Sequence, residues 1–505
     1  MEGGHMKKKH IVVSPFQQYR QSLSSESNEL LTDFFASFDE HVLLPEKGKS
    51  EMRSDFEKAI LYFDSLGVRL DKSLERLDTK NLGGFYSRPA IRWFPLDTAA
   101  KIYPLSMRRN QMAVFRLSAY MKETVNPEIL QIALSFTIKR FPCFSTTIKK
   151  GFFWHYLDTT KRRFVVEKEY DIPCRPLDVS LSGSQTFRLL YHENRISVEI
   201  FHILADGYGG MVFLKTLVAE YLRLQGIDIT YDKTILPINE TPVDGEMSDA
   251  FFFVEPKNKA SGFLNRPSVQ LSGSLSRTKP CRVLHFIMDT DKLKAVAKSK
   301  NSTITSYLVA NMMLAGKSAT DEPSGSMSIQ VPVDMRKYYP SGTLRNFSLY
   351  CGIKLPLTKI TDCESILPEI SRQLVEKGAL GPMNEMMNAA KGLVRSLRFV
   401  PLFIKNPVAR IIYGFLGDQA FSNTLSNLGI VNLPEEMASH VVGFDFLLGT
   451  SITNRVSCSV VSYNNKTTFS IAKLTLDPSY EETMYKLLKS DGIDVIVEGS
   501  GIYGS

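Results

Sequence analysis

The sequence lacks an uninterrupted apolar run long enough to cross a bilayer. Its best candidate, residues 397–417 (LRFVPLFIKNPVARIIYGFLG), contains three cationic residues and two prolines. A membrane-spanning helix requires about 20 mostly apolar residues with few or no charges. We therefore expect no spanning helix. The sequence also has no basic start followed by an apolar stretch and small residues, so no secretory signal is predicted.

Cysteine is scarce as well, with six in 505 residues and none in a CxxC pair. This spacing argues against the common zinc and disulfide frameworks, and it favours reduced, mostly buried thiols. The histidines are equally dispersed and form no HExxH arrangement, so no metal site is predicted. Reduced thiols and the missing signal together predict a cytoplasmic protein.

Positive charge is only mildly in excess. Lys and Arg number 61 against 53 Asp and Glu, which gives a formal net charge of +8. This balance suits anionic small ligands or a membrane surface, and it is too weak to indicate a nucleic-acid partner. The first ten residues, MEGGHMKKKH, contribute part of the excess, and we interpret them as a tag or a disordered tail.

What the chain does have is an ordinary globular composition, with 43% hydrophobic and 23% charged residues. The chain is longer than one core usually holds, so two or more lobes are expected. Helical spacing of Phe56, Ile60 and Phe63 predicts a helical N-terminal extension. Strands and helices then alternate, which predicts an α/β (α+β) fold. The aromatic runs at 152–154 and 251–253 are expected in the core.

The predicted divisions follow changes in composition along the chain. A segment rich in Pro, Gly, Ser and Asn separates two regions of alternating strands and helices, as a connection between lobes would. The resulting parts are a tail at 1–10, the helical extension at 11–90, an N-terminal lobe at 91–235, a crossover or linker at 236–280, and a C-terminal lobe at 281–505.

The most informative segment is residues 199–210, EIFHILADGYGG. Its pattern predicts a strand that ends at His202, a short loop, and then a helix. An imidazole at a strand end can project into a cleft and take a proton from a hydroxyl or an amine. Asp206 could fix the loop by pairing with a cation, and Gly207 allows a backbone angle or a close approach that a Cβ would forbid. The alternative is a buried histidine followed by an Asp-Gly turn.

This segment resembles the HHxxxDG signature of the superfamily of chloramphenicol acetyltransferase, carrier-protein condensation domains and alcohol acyltransferases. The resemblance covers residues 92–490 and is strongest for bacterial alcohol acetyltransferase-like proteins that contain a condensation domain. Phe201 stands where the signature has its first histidine, and the DFGWG element of the plant branch is absent. Three later segments are similar to family elements in the same order, namely VPVDMR at 331–336, RNF at 345–347 and SNLG at 426–429.

The resemblance implies a fold and a role for each matching residue. Two lobes would form a V with a central channel, and His202 would be the general base at its midpoint. Asp206 would be structural and would pair with Arg336, and Gly207 would be the motif glycine. The weaker candidates for the channel wall or for oxyanion stabilisation, each with strand-end capping as the alternative, are Asn346 and Ser426.

The resemblance also implies a reaction. An acyl group would pass from a thioester directly to an alcohol or an amine, without an acyl-enzyme. Acyl-CoA would be a co-substrate, no cofactor would be bound, and the acceptor would be a small molecule; a carrier protein supplied in trans is the alternative donor. Two other hypotheses stay open: a free-standing condensation domain that forms amides, and a non-catalytic pseudo-acyltransferase that binds lipid or a protein partner.

A basic stretch at residues 391–410 lies within a long helical region predicted for 364–417. The plainer interpretation is a pair of amphipathic helices whose long cationic side chains lie over apolar surface. The functional interpretation is an electropositive surface for CoA phosphates, for a carrier-protein phosphopantetheine, or for peripheral contact with an anionic membrane. No acidic residue interrupts its five cations, which are Lys391, Arg395, Arg398, Lys405 and Arg410.

Overall fold

A computed structural model describes residues 14–86, 93–106, 112–160, 162–179, 185–253, 267–405, 421–449 and 454–503. The first ten residues, interpreted as a tag or tail, lie outside these described residues, and so does the Arg410 end of the basic stretch. No helix in these ranges combines the length and the apolar character that a bilayer span requires. The mixture of helices and sheets confirms the predicted fold class.

The described part of the N-terminal extension contains four α-helices and, after them, a short 3₁₀ helix (Thr79–Leu82). The four are α1 (Pro15–Ser22), α2 (Ser25–His41), α3 (Glu46–Ser65) and α4 (Leu70–Arg76). Serine side chains cap the first two. The ring of Phe56 lies 6.1 Å from Phe136, and Arg163 forms an ion pair with buried Asp55 at 2.6 Å. The extension therefore packs into the hydrophobic core of the first lobe.

The strands of the described residues form three sheets. They are β1 (Trp93–Pro95), β2 (Val114–Met121), β3 (Thr146–Lys150), β4 (His155–Thr159), β5 (Val166–Lys168), β6 (Phe187–His192), β7 (Arg195–Phe201), β8 (Arg282–Asp289), β9 (Ser326–Asp334), β10 (Ser348–Pro356), β11 (Asn423–Ile430), β12 (Val441–Leu448), β13 (Val456–Tyr463), β14 (Lys466–Lys473) and β15 (Val495–Gly499). The sheet orders are β12-β2-β7-β6-β5, β10-β9-β11-β13-β14-β8-β15 and β1-β4-β3. Two hydrophobic clusters accompany the two larger sheets, as a two-lobed fold requires.

Further helices connect these strands or cover the sheets: α5 (Tyr103–Ser106), α6 (Pro127–Thr137), α7 (Gly207–Leu224), α8 (Asp244–Met247), α9 (Thr290–Ser299), α10 (Ile304–Ser318), α11 (Cys363–Lys377), α12 (Leu380–Ser396), α13 (Glu435–Ala438) and α14 (Ser479–Ser490). The helical region predicted for 364–417 contains α11 and α12, and its residues 406–417 lie outside the described residues. The backbone leaves helical geometry after α11, because Ala379 is extended with φ −71° and ψ 161°, and α12 then starts a new helix.

One strand joins the two halves of the chain. β12 belongs to the second half of the sequence, yet it pairs antiparallel with β2 at the edge of the five-stranded sheet. The carbonyl of Phe446 in β12 accepts a hydrogen bond from Ser459 of β13. In the linker, Glu246 pairs with Arg140, and its carbonyl accepts from the N–H of Leu344. Strand pairing, hydrogen bonds and an ion pair thus connect the two lobes. The lobe boundaries predicted from the sequence stay predictions.

The two aromatic runs expected in the core are only partly buried. Phe251 is buried, with its ring 5.8 Å from that of Phe347. Phe152, Phe153, Phe252 and Phe253 are exposed, so the prediction is wrong for them. The reason is local: one run forms the tip between β3 and β4, and the other forms a short 3₁₀ helix, so each can bury only one side.

Candidate active site

The HxxxDG segment forms a strand, a tight loop and a helix. β7 ends at Phe201, and the N–H of His202 donates to the carbonyl of Ala113 at 2.8 Å. Asp206 caps α7 by accepting from the N–H of Gly209 at 3.2 Å. Phe201 is fully buried and His202 is partly exposed, because successive side chains of a strand point to opposite faces. The phenylalanine that replaces the first signature histidine is therefore a core residue.

The ring of His202 lies between the two lobes. Tyr103 stacks on it with ring centroids 4.7 Å apart, and Phe115 approaches edge-on at 5.1 Å. From the second lobe, Oδ1 of Asn346 lies 2.8 Å from Nδ1 of the histidine. These contacts hold the ring plane and use Nδ1, so Nε2 is the ring nitrogen that remains for a substrate.

The hydrogen bonds of Asn346 determine which nitrogen of His202 carries the proton. Nδ2 of Asn346 donates to Oδ2 of Asp97 at 3.0 Å, so the amide turns its oxygen toward the imidazole. An amide oxygen can only accept, and His202 therefore donates from Nδ1. In the neutral ring this leaves a lone pair on Nε2. A buried carboxylate thus orients the amide, and the amide sets the tautomer.

Asp97 stands at the buried end of this chain of hydrogen bonds. Its other oxygen accepts from the N–H of Ala100 at 2.7 Å, and Nε of Arg345 lies 3.6 Å from Oδ2. Burial raises the pKa of the Asp97 carboxyl, while the charge of Arg345 opposes that rise. Sequence reasoning missed this residue because it follows a short strand far from His202, and no local pattern marks it.

Asp206 and Arg336 meet across the lobes, 130 residues apart in the chain. Nη1 of Arg336 lies 2.9 Å from Oδ2 of Asp206, and Nη2 lies 3.3 Å from Oδ1. The N–H of Phe347 and the hydroxyl of Ser348 also donate to Oδ2, each at 2.9 Å. Burial by itself would raise the pKa of Asp206, but Arg336 and these hydrogen bonds hold it below its ordinary value. The carboxylate is therefore a charged anchor for the second lobe.

Arg336 in turn holds the loop that carries Asn346. Its guanidinium donates at 2.9 and 2.8 Å to two carbonyls on the N-terminal side of that residue, those of Thr343 and Arg345. Asp206 holds the C-terminal side through residues 347–348. The ion pair therefore acts on the partner of His202, and through it on the orientation of the imidazole.

The glycines at the start of α7 lie where the second lobe comes very close to the helix backbone. Gly207 is predicted to allow either a special backbone angle or a close approach, and its φ lies outside the left-handed region. A Cβ at Gly207 would lie 2.5 Å from the movable end of Leu428. A Cβ at Gly209 would lie 1.9 Å from the carbonyl oxygen of Leu344, which is backbone. The approach between lobes thus depends most on Gly209, which sequence reasoning did not single out.

Ser426, the remaining candidate, lies in β11 opposite Ser459 of β13 and is partly exposed. No hydrogen bond among the described residues joins Ser426 to His202. Asn346, by contrast, is a direct partner of the histidine. A channel or oxyanion role for either residue stays a prediction.

Within the described ranges, no group of three or more His, Cys, Asp or Glu side chains could hold a metal ion.

Comparison with known proteins finds similar solved structures. No protein-family model and no curated protein matches the chain. TRI3 trichothecene 15-O-acetyltransferase from Fusarium sporotrichioides has a TM-score of 0.52 and 13% identity, over 79% of this chain and 95% of that one. F. graminearum TRI101 complexed with ethyl coenzyme A has a TM-score of 0.53 and 9% identity, over 80% of this chain and 99% of that one. The first condensation domain of the calcium-dependent antibiotic synthetase has a TM-score of 0.54 and 10% identity, also over 80% of this chain and 99% of that one.

The chain has the chloramphenicol acetyltransferase-like, condensation-domain fold. This likeness agrees with the four sequence segments that resemble the superfamily. Because the identities are low, it shows the fold, and the function has to be argued from the site.

Proposed function

We propose that the protein is a CoA-dependent acyltransferase that moves an acyl group from a thioester to an alcohol or an amine, with His202 as the general base. The observation that carries this proposal is the hydrogen bond from Nδ1 of His202 to Asn346, which leaves the lone pair on Nε2. The ring is partly exposed between two lobes, where a donor and an acceptor could meet. The acetyltransferases and the condensation domain of the same fold support this class of reaction.

The reaction proceeds through a tetrahedral intermediate. Nε2 of His202 takes the proton from the acceptor while the acceptor oxygen or nitrogen forms a bond to the thioester carbonyl carbon. The intermediate collapses, the carbon–sulfur bond breaks, and the imidazolium returns its proton to the departing thiolate. No acyl-enzyme forms and no bound cofactor takes part. Asn346 keeps the proton on Nδ1 throughout.

Acyl-CoA is the donor that we favour. TRI101, which shares the fold, is complexed with ethyl coenzyme A in its solved structure. The condensation-domain likeness supports a second candidate, amide formation with a carrier protein in trans as the donor. All six cysteines are free thiols, which supports a reducing, cytoplasmic location.

A panel of acyl-CoA donors combined with alcohols and amines tests the proposal. Thiol release and product mass are followed for wild type, His202→Ala and His192→Ala. His192 is an exposed histidine at the end of β6, so its variant controls for the loss of an imidazole. We expect His202→Ala to lose at least about a hundredfold in kcat/KM, and His192→Ala to match wild type.

The other outcomes of this panel assign different functions. Equal turnover by wild type and His202→Ala would eliminate the base mechanism. Acceptance of amines but not alcohols would favour the condensation hypothesis. If wild type binds acyl-CoA or lipid but turns over nothing in the panel, the protein is a non-catalytic pseudo-acyltransferase.

A further inference from the structure

A surface outside the site exposes aromatic side chains of a type that proteins usually bury. Phe152, between β3 and β4, is 68% exposed, and Phe399 and Phe403, which follow α12, are 71% and 72% exposed. Phe153 and Ile404 are their exposed neighbours. We call these five side chains the aromatic surface. Large exposed apolar patches of this kind mark interaction sites.

Direct contacts join the two segments of the aromatic surface. The rings of Phe153 and Phe399 have centroids 6.3 Å apart. The N–H of Leu402 donates to the carbonyl of Phe152 at 2.8 Å, and Nζ of Lys405 donates to the carbonyl of Phe153 at 2.7 Å. The tip between β3 and β4 and the segment after α12 therefore present one surface.

The charged residues in the two segments that form the aromatic surface are of one sign. Lys150, Arg395 and Arg398 flank it and are exposed. No acidic residue occurs in residues 147–157 or 386–405. Exposed aromatic rings flanked by cations complement an anionic bilayer, because the rings can enter the headgroup region while the cations meet lipid phosphates.

The aromatic surface is connected to the elements that surround His202 through the three-stranded sheet. Tyr156 of β4, which follows the tip between β3 and β4, pairs with Pro95 of β1. Asp97, two residues after Pro95, accepts from the amide of Asn346, and Asn346 contacts the imidazole. The tip of the aromatic surface and the candidate base are thus joined by one set of contacting elements.

We propose that the aromatic surface docks on an anionic lipid bilayer. Docking places the phenylalanine rings among the headgroups and sets Arg395 and Arg398 against lipid phosphates. It also brings the cleft between the lobes close to the bilayer, so that a lipophilic acyl donor or acceptor reaches His202 from the lipid. This last consequence rests on the proposed function, whereas the docking itself does not.

Vesicle binding tests the docking without any turnover. The full chain is floated with vesicles of phosphatidylcholine alone and with vesicles that also contain phosphatidylglycerol. We expect binding to the phosphatidylglycerol vesicles that weakens as salt is raised, and little binding to phosphatidylcholine. Trp154, one of two tryptophans in the chain, is adjacent to Phe153, so we also expect tryptophan emission to shift to the blue on binding.

Variants of the aromatic surface and of a control surface make the test specific. We expect the aromatic variant to lose at least about tenfold in vesicle affinity. It carries Phe152→Ser, Phe399→Ser and Phe403→Ser. The control variant removes three apolar side chains that are also exposed but lie elsewhere, and it should bind like wild type. It carries Leu43→Ser, Leu66→Ser and Ile496→Ser.

A charge variant tests the electrostatic part of the proposal. Arg395→Glu with Arg398→Glu should remove the preference for phosphatidylglycerol, since each cation near an anionic surface contributes about 1 kcal/mol, or about fivefold in affinity. Thermal melts followed by circular dichroism establish that each variant is folded.

Three results would overturn the docking. They are a wild type that does not bind phosphatidylglycerol vesicles, an aromatic variant that binds as well as wild type, and a control variant that loses as much affinity as the aromatic one. His202→Ala should bind vesicles like wild type. The turnover assay and the vesicle-binding assay therefore test the proposed function and the docking independently.

Discussion

Two buried carboxylates flank His202 in the sequence, and they join different parts of the molecule. Glu199 is 1% exposed and accepts hydrogen bonds from two arginines of its own sheet, Arg116 and Arg188. Asp206 is 2% exposed and pairs with Arg336 of the other lobe. Burial and pairing with arginine are common to both carboxylates, so these features alone do not mark a functional site. What distinguishes Asp206 is that its partner holds the loop of Asn346.

Replacing Asp206 should have the largest effect. Asp206→Asn keeps the shape and the helix cap, but it removes the charge opposite buried Arg336. We expect kcat/KM to fall at least about a hundredfold, because the loop of Asn346 moves and the base is misplaced. We also expect the free energy of unfolding to fall by about 3 kcal/mol. Steady-state kinetics on the folded fraction and urea unfolding measure the two effects.

Replacing Glu199 should separate stability from catalysis. Glu199→Gln leaves Arg188 without its buried counter-charge, although Arg116 keeps Glu169 at 2.7 Å. We expect the free energy of unfolding to fall by about 3 kcal/mol, with kcat/KM of the folded fraction close to that of wild type. If this variant lost as much kcat/KM as Asp206→Asn, the distinction between the two carboxylates would be wrong.

Replacing Asp97 should have a smaller effect. Asp97→Asn replaces the carboxylate that accepts from Nδ2 of Asn346 by an amide that can also donate, so the Asn346 amide is less firmly oriented toward the imidazole. We expect kcat/KM to fall at least about tenfold. Steady-state kinetics measure the loss, and a kcat/KM equal to that of wild type would contradict the role of Asp97 in orienting Asn346.

The sequence predicts the site residues that lie in one local segment, and it gives no signal for those whose contacts are far away in the chain. His202 and Asp206 lie in one strand–loop–helix segment, so their neighbourhood follows from a local pattern. Arg336 was found through a second segment that resembles a family element. Asp97 has no such signal, because its partner Asn346 is 249 residues away in the chain. Gly209 was missed because its close contact is with Leu344 of the other lobe.

The same limit applies to the fold. The sequence predicts alternating strands and helices in the second lobe, and β12 is one of these strands. Its pairing with β2 could not be predicted, since nothing in the strand itself encodes a partner in the first lobe. The aromatic runs show the limit again. Their residue types predict burial, but their place at a hairpin tip and in a short 3₁₀ helix exposes four of their five phenylalanines.

The tautomer of His202 is the most direct test of the central claim. Long-range proton–nitrogen NMR of protein labelled with ¹⁵N-histidine, assigned with His202→Ala, reports which ring nitrogen carries the proton. The hydrogen bonds predict a proton on Nδ1 and a bare Nε2 in the neutral ring, and a mixture of tautomers in Asn346→Ala. A neutral His202 protonated on Nε2 in the wild type would contradict the account.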